Sequence, residues 1–167
     1  QKIDGVALIK RQVEMALATG WPICVTLPEG DKLRRDALVG CSPEAVKLQT
    51  LTDAKEGLSA SMRYGARWAA DRDASALMVV LADMPDLMAT DLVALAQAYE
   101  NDPGKIWRAT DETGKAGHPV IFPNRLFAAF ETLRGDIGAQ DIIKSEPVQF
   151  LKLSSTVATT DLDTAED

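Results

Sequence analysis

The chain has 167 residues and a formal net charge of −7 at pH 7, and 46% of its residues are hydrophobic. This length and composition suit one globular domain, and an acidic balance without a basic cluster argues against a nucleic-acid or anionic-membrane surface. Two cysteines are too few for a disulfide framework, which favours a reducing compartment, the cytoplasm. No apolar run reaches the length of a membrane span, so we expect no membrane partner.

The first half of the chain alternates segments of helical and strand character. Gly20 ends the first predicted helix, and Asp31 can cap the second. The predicted elements are a helix over 6–19, a strand over 22–27, a helix over 32–39, a weaker strand over 46–51 and a helix over 58–72.

Residues 77–82 form an unbroken apolar run, L-M-V-V-L-A, of strand length. Such a run predicts a strand buried on both faces, as in a parallel sheet. The run stops at Asp83, and Pro85 prevents the strand from continuing. A carboxylate therefore stands at the C-terminal edge of a central strand, where open α/β sheets bind ligands, and a divalent cation is its natural charge partner.

The second half adds a hairpin to this pattern, since residues 111–117 are a short connection between two strands. The predicted elements are a helix from residue 90, strands over 106–110 and 119–122, helices over 125–132 and 135–144, and a strand over 148–153. This order predicts one α/β domain over residues 1–167, with three layers (α/β/α) and a mostly parallel, mixed sheet.

Two acidic points could meet above one edge of this sheet, Asp83 and the pair Asp161 and Asp163. Two carboxylates, together with phosphate oxygens and water, suit Mg²⁺, which could neutralise a triphosphate during phosphoryl or nucleotidyl transfer. The alternative is that Asp83 caps the next turn and that the other two acids are solvated.

Three further segments have both a binding and a structural explanation. Residues 57–61 and 135–139 each begin a predicted helix, where backbone N–H groups could bind an anion or simply be capped. His118 is the only histidine, so it cannot form a histidine metal cluster; it could hydrogen-bond a substrate or fix its loop. No glycine-rich phosphate fingerprint of the Walker or dinucleotide type is present.

Taken in order, five motifs of this chain resemble the MobA-like nucleotidyltransferase family, which makes dinucleotide forms of the molybdenum cofactor. The resemblance implies a Rossmann-like fold of the nucleotide-diphospho-sugar transferase type. The G-H-P-V and G-D-x-G-A motifs look more like the cytidylyltransferase (MocA-like) branch than the guanylyltransferase branch. The motifs are G-L-S-A-S at 57–61, L-A-D-M-P at 81–85, G-H-P-V at 117–120, G-D-I-G-A at 135–139 and D-L-D-T at 161–164.

The resemblance also implies roles for single residues. Asp83 would be the principal Mg²⁺ ligand and Asp163 the second. The remaining implied roles are contact with the nucleotide base or ribose for Gly57, Ser59 and Ser61, phosphate binding for Lys2, and a place on the acceptor side for His118.

One departure from the family pattern concerns the N-terminal signature. The family opens with a strand and a glycine-rich L-A-A-G-x-S-x-R-M-G loop that cradles the triphosphate, and no such loop occurs here. If Lys2 ends that signature, we expect the loop and the first strand to lie upstream of Gln1, with the strand beside residues 77–82.

The activity that the resemblance implies is Mg²⁺-dependent transfer of a nucleoside monophosphate from CTP or GTP to a molybdopterin-like acceptor, with release of pyrophosphate. A molybdoenzyme or its chaperone would be a further partner. The alternatives are a nucleotidyltransferase for a sugar phosphate or another small phosphorylated acid, a degenerate nucleotide-binding or partner-binding domain, and an unrelated flavodoxin-like or sugar-phosphate-binding domain.

Overall fold

The computed structural model describes residues 2–3, 5–135 and 138–160. The strands of this part of the chain are β1 (Lys2–Ile3), β2 (Val6–Ala7), β3 (Ile23–Pro28), β4 (Val46–Leu51), β5 (Ala76–Val79), β6 (Ile106–Thr110), β7 (Ala116–Pro123) and β8 (Val148–Lys152). Its helices are α1 (Leu8–Leu17), α2 (Lys32–Ala37), α3 (Leu58–Ala70), α4 (Ala89–Asn101), α5 (Phe127–Phe130) and α6 (Gln140–Ser145). None of these helices combines the length and the apolar character that crossing a bilayer requires.

The described strands pair in three groups. β1 and β2 form a small antiparallel pair, and β3 and β4 form a parallel pair. The largest sheet has the order β5-β7-β6-β8, in which β7 is antiparallel to both of its neighbours and β8 is parallel to β6. The predicted hairpin is therefore confirmed as β6–β7, and it makes this sheet of the α/β domain mixed.

Helices cover both faces of the sheets, which gives the three predicted layers. Side chains alternate along β5, so that Leu77 and Val79 pack into a core formed with α3, α5 and α6, whereas Ala76 and Met78 pack against α4. Helix α1 packs on the pair β3–β4, together with Leu38, the residue that ends α2. Asp31 caps α2 as predicted, because its Oδ1 accepts a hydrogen bond from the Arg34 N–H at 3.0 Å.

The strand predicted over 77–82 is shorter than expected and less buried. β5 ends at Val79, and each of its residues is half-buried rather than buried on both faces. Val79 pairs with Val120, and the next position of β7 is Pro119, which has no N–H to donate. Among the described residues β5 pairs only with β7, and β3 only with β4, although α3 contacts both β3 and β5. The open edge of β5 explains its partial exposure.

A buried cation, Arg63 of α3, ties three segments together; it is 7% exposed. One guanidinium nitrogen donates to the Leu133 carbonyl at 2.8 Å, and the other donates to carboxylates of Asp53 and Glu56, both at 2.8 Å. The hydrogen bond with Asp53 contributes most to raising the pKa of Arg63. This side chain therefore fixes the turn that precedes α3 against the loop that follows α5.

Replacing Arg63 with Met should leave two carboxylates without their cation and the Leu133 carbonyl without its donor. We expect the free energy of unfolding to fall by about 2 kcal/mol, since both carboxylates are half-exposed and solvent screens them. Urea denaturation measures the loss. Arg67→Met is the matched control, because Arg67 pairs with Glu131 at the surface and its loss should cost less than about 1 kcal/mol. Equal losses would contradict the role given to Arg63.

Candidate active site

Asp83 lies in the turn that follows β5, at the carboxyl end of that strand. Its side chain is half-buried, and its Oδ1 atom is shielded from solvent. The next residue, Met84, is buried, and its carbonyl accepts a hydrogen bond of 2.6 Å from the Gln12 side-chain amide. Because Gln12 belongs to α1, this helix fixes the loop that carries the carboxylate.

A cavity of about 210 Å³ adjoins this loop and is called the hairpin cavity below. Leu81 and Met84, on either side of the acid, form one wall. The other walls come from the β6–β7 hairpin, through Arg108 and residues 115–118, and from residues 158–160 of the segment that follows β8. The fold therefore places the loop of Asp83, through Leu81 and Met84, and the predicted acceptor-side residue His118 at the same cavity, although the Asp83 side chain is not part of its lining.

His118 lies on the hairpin wall of this cavity. Burial lowers the pKa of its imidazole, the Val79 carbonyl partly counters that effect, and the charge of Arg108 adds to the lowering. The ring is therefore neutral at neutral pH. Its Nδ1 atom is buried and has no hydrogen-bond partner within the described part of the chain. A neutral imidazole can bind a substrate or fix its loop, so the acceptor-side role stays a prediction.

Asp111, the first residue after β6, organises the hairpin turn and is 4% exposed. Its Oδ1 accepts hydrogen bonds from the Thr113 N–H (2.9 Å), the Thr113 hydroxyl (2.6 Å) and the Lys115 N–H (2.9 Å). Its Oδ2 accepts one from the Thr159 hydroxyl at 3.0 Å. These bonds, that of the Thr113 hydroxyl above all, lower the pKa of Asp111 to about 2. One charged side chain thus holds both the turn and the segment after β8.

The same segment lies very close to the hairpin at Gly117. The His118 N–H donates to the Ala158 carbonyl at 2.9 Å, and a Cβ atom added to Gly117 would lie 1.7 Å from that carbonyl oxygen. Farther along, the Leu153 N–H donates to the Thr110 carbonyl at 2.8 Å. Glycine at position 117 is therefore required for residues 153–160 to lie along the hairpin.

Asp161 and Asp163 lie outside the described residues. Thr160 lines the same cavity as Leu81 and Met84, which flank Asp83. The convergence of the two acidic points stays a prediction.

The predicted nucleotide-binding residues stand at the start of α3, and none of them lines the hairpin cavity. Gly57 is the N-cap residue, with a φ of +75° that favours glycine. Ser59 is fully buried, and its hydroxyl has no hydrogen-bond partner among the described residues, whereas Ser61 is half-buried. A Cβ atom on Gly138 would lie 3.1 Å from the Leu58 side chain, so the G-D-I-G-A and G-L-S-A-S motifs are neighbours.

Lys2 lies in β1, where it pairs with Ala7. The phosphate-binding role of Lys2 stays a prediction.

The carboxylate of Asp83 suits a cation that takes few protein ligands. Within residues 2–3, 5–135 and 138–160, no group of three or more His, Cys, Asp or Glu side chains could hold a metal. Mg²⁺ commonly takes one or two carboxylates and completes its octahedral shell with substrate phosphates and water. A carboxylate at a protected strand end fits that mode of binding better than a metal cage made wholly by the protein.

Three residues of this site were missed by sequence reasoning: Arg108, Lys115 and Asp111. Arg108 lies inside a strand, I-W-R-A-T, in which it is the only charged residue. A single cation in such a strand is the sequence signal that could have identified it. Asp111 and Lys115 fall in a polar turn, where charged residues are usually solvated. Their roles depend on residues 158–160, which lie far away in sequence.

Comparisons with known proteins agree with this architecture. A family model described as the MobA-like NTP transferase domain matches residues 1–150. The crystal structure of Rv0371c from Mycobacterium tuberculosis H37Rv is similar with a TM-score of 0.81 and 22% identity, over 99% of this chain and 83% of that one. Its complex with manganese gives a TM-score of 0.79 and 22% identity, over 99% and 86% of the two chains.

A third solved structure, CMP:2-keto-3-deoxy-manno-octonic acid synthetase complexed with CTP, is similar with a TM-score of 0.74. The identity is 12%, over 99% of this chain and 86% of that one. No curated protein matches the chain. These likenesses confirm the predicted fold type.

Replacing Gly117 with Ala should push residues 153–160 away from the hairpin, because the new Cβ atom cannot share space with the Ala158 carbonyl. We expect the free energy of unfolding to fall by about 2 kcal/mol and amide exchange of residues 153–160 to become faster. Gly65→Ala is the control: its Cβ atom would meet only the Leu77 side chain at 3.6 Å, and alanine favours the helix by about 1 kcal/mol. Normal exchange in Gly117→Ala would refute the close packing.

The Asp111 network predicts a pH-dependent contribution to stability. The carboxyl has its ordinary pKa of 3.8 in the unfolded chain and a pKa of about 2 in the folded one. The stabilisation is therefore complete above the unfolded pKa and disappears as the pH falls through the folded pKa. Urea unfolding from about pH 6 to about pH 2 should show the gap between wild type and Asp111→Asn shrinking below about pH 4.

Glu112→Gln is the control for this experiment, because its side chain is exposed and belongs to none of these bonds. A gap between wild type and Asp111→Asn that stays constant over the whole pH range would contradict the assigned charge.

Proposed function

Because the chain belongs to the MobA-like NTP transferase domain family, we propose that it transfers a nucleoside monophosphate from CTP or GTP to a molybdopterin-like acceptor. An oxygen of the terminal phosphate of the acceptor forms a bond to the α-phosphorus. The bond from the α-phosphorus to the oxygen that bridges to the β-phosphorus breaks, and pyrophosphate leaves with that electron pair. No protein nucleophile is needed, so positioning and charge neutralisation supply the catalysis.

The observation that carries this proposal is the position of Asp83. The acid lies at the carboxyl end of β5, beside a cavity lined by Arg108, Lys115 and His118. Asp83 and Asp163 would hold Mg²⁺, which when bound would neutralise charge on the triphosphate. The manganese complex of the structurally similar Rv0371c supports the use of a divalent cation.

On the nucleotide side, Gly57, Ser59 and Ser61 would approach the base or ribose, and Lys2 would bind phosphate. CTP is favoured over GTP by the G-H-P-V motif and by the likeness to a synthetase whose structure contains CTP.

We further propose that a strand and a glycine-rich phosphate loop outside the residues shown complete this half of the site. What supports this is that β3 and β5 each have one sheet neighbour within the described residues, while α3 packs against both. A central strand between them would join the two sheets into one. The whole would then form one domain that includes residues 1–167.

The net charge and the cysteines support a cellular location and a class of substrate for this enzyme. Two free thiols, Cys24 and Cys41, and a net charge of −7 support a cytoplasmic enzyme that acts on a small molecule rather than on nucleic acid or at a membrane. A molybdoenzyme or its chaperone would receive the product.

Asp83→Asn should lower the rate of nucleotide-dependent pyrophosphate release by at least about a hundredfold, because the charge that holds the cation is lost. Release is measured with each of the four nucleoside triphosphates, with Mg²⁺ and with molybdopterin as acceptor. The matched control is Asp86→Asn, an exposed acid in the same turn, which should stay active. Full activity in Asp83→Asn would remove the metal assignment.

A second set of reactions tests the acceptor. Sugar phosphates and other small phosphorylated acids replace molybdopterin, and turnover with one of these alone would favour a transferase of the same fold with a different acceptor. We expect CTP with molybdopterin to give the fastest release.

A further inference from the structure

We propose that the hairpin cavity binds the phosphate monoester of the acceptor, with Arg108 and Lys115 as its anion-binding residues. The identity of the acceptor rests on the function proposed above, whereas the anion site rests on the cavity itself. Nothing in the sequence motifs assigned a role to either cation.

The first argument is the sign of the charge in the cavity. Its lining contains Arg108, Lys115, the neutral His118 and the hydroxyl-bearing Thr159 and Thr160, and no acidic side chain among the described residues. The chain as a whole carries a net charge of −7. Two cations without a carboxylate in one concave site of an acidic protein favour an anionic ligand.

The second argument is the environment of Arg108. Its Nε donates to the Gly117 carbonyl at 2.8 Å, and Nη2 donates to the Ala116 carbonyl at 3.4 Å. Within the described residues it has no carboxylate partner, unlike Arg63 and Arg125. Burial lowers the pKa of Arg108, which reflects desolvation of a charge that none of the described carboxylates contacts. A bound anion would offset that cost.

The geometry of the guanidinium suits phosphate. The group has five N–H donors in a planar fork, and two of them are used by carbonyls of the hairpin, which orient the side chain. The remaining donors can form paired, charge-assisted bonds to phosphate oxygens. Lys115 is an exposed lining residue that adds a second cation, and its backbone N–H is held by Asp111.

The size and place of the cavity define the ligand further. A volume of about 210 Å³ is smaller than pockets for whole drug-sized ligands, so it suits a phosphate group and the carbon attached to it. The cavity also adjoins the loop of Asp83. The two cations would thus reduce the repulsion between the phosphate of the acceptor and the triphosphate of the nucleotide.

The test is binding of inorganic phosphate and of glycerol phosphate, measured by titration calorimetry without nucleotide or metal. Arg108→Gln should weaken phosphate binding roughly tenfold to a hundredfold, and Lys115→Gln severalfold. Arg134→Gln is the control: Arg134 is exposed, donates only to carbonyls and undergoes the same charge change, so binding should be unaffected. Arg108→Lys, which keeps the charge, should recover part of the affinity.

Three outcomes would overturn the proposal. The first is that the wild type does not bind phosphate, and the second is that phosphate affinity is unchanged in both Arg108→Gln and Lys115→Gln. The third is that CTP displaces the bound phosphate while Arg108→Gln leaves the phosphate affinity unchanged. The last result would put the anion on the nucleotide side. Circular dichroism tests whether Arg108→Gln is folded. If Arg108→Gln is unfolded, Lys115→Gln gives an independent answer, because it changes an exposed side chain.

Kinetics separate this inference from the proposed function. Where transfer occurs, Arg108→Gln should raise the KM for the acceptor about tenfold or more and leave the KM for the nucleotide unchanged. An unchanged acceptor KM refutes the anion site alone. If no nucleotide is turned over but phosphate binding still depends on Arg108, the proposed function fails and the anion site stands.

Discussion

The hydrogen bonds to the buried carboxylate of Asp111 are the interaction on which this site depends. This carboxylate accepts four hydrogen bonds, from the turn of the β6–β7 hairpin and from Thr159 in the segment that follows β8. A buried charge is stable only when it is fully hydrogen-bonded, so both partners are held in one arrangement. That arrangement brings residues 158–160 against the hairpin, where they form a wall of the cavity beside the loop of Asp83.

The charges around the cavity are separated by this arrangement. Asp83 lies in a loop that α1 fixes through Gln12, whereas Arg108 and Lys115 project from the hairpin that Asp111 fixes. Each loop is thus positioned by a hydrogen bond from a different element. In the proposed reaction both substrates are anionic, so a cation held by Asp83 and the neighbouring cationic wall would have complementary tasks.

Much of the fold could be predicted from local pattern. Asp31 caps α2 as its residue type indicates, the β6–β7 hairpin forms where a short polar connection joins two apolar runs, and the α/β class follows from the alternation of elements. The length of β5 could not be predicted, because Pro119 ends its ladder from a strand that lies about 40 residues later in the chain. The family could be identified because its five motifs keep their order, although each motif alone has a structural explanation.

The sequence by itself determined which residues are chemically able to act: an acid at the end of an apolar strand, a glycine-flanked serine segment, one histidine and a pair of late acids. Periodicity and turn chemistry are local properties, so they are visible in the order of residues. Only the tertiary structure decided that position 117 must be glycine, because the Ala158 carbonyl leaves no room for a Cβ atom there. It also decided that Ser59 is buried while Lys115 is exposed, and that Arg108 lacks a carboxylate partner among the described residues. Those outcomes depend on contacts between segments far apart in the chain, and burial and pairing are properties of such contacts rather than of any residue alone.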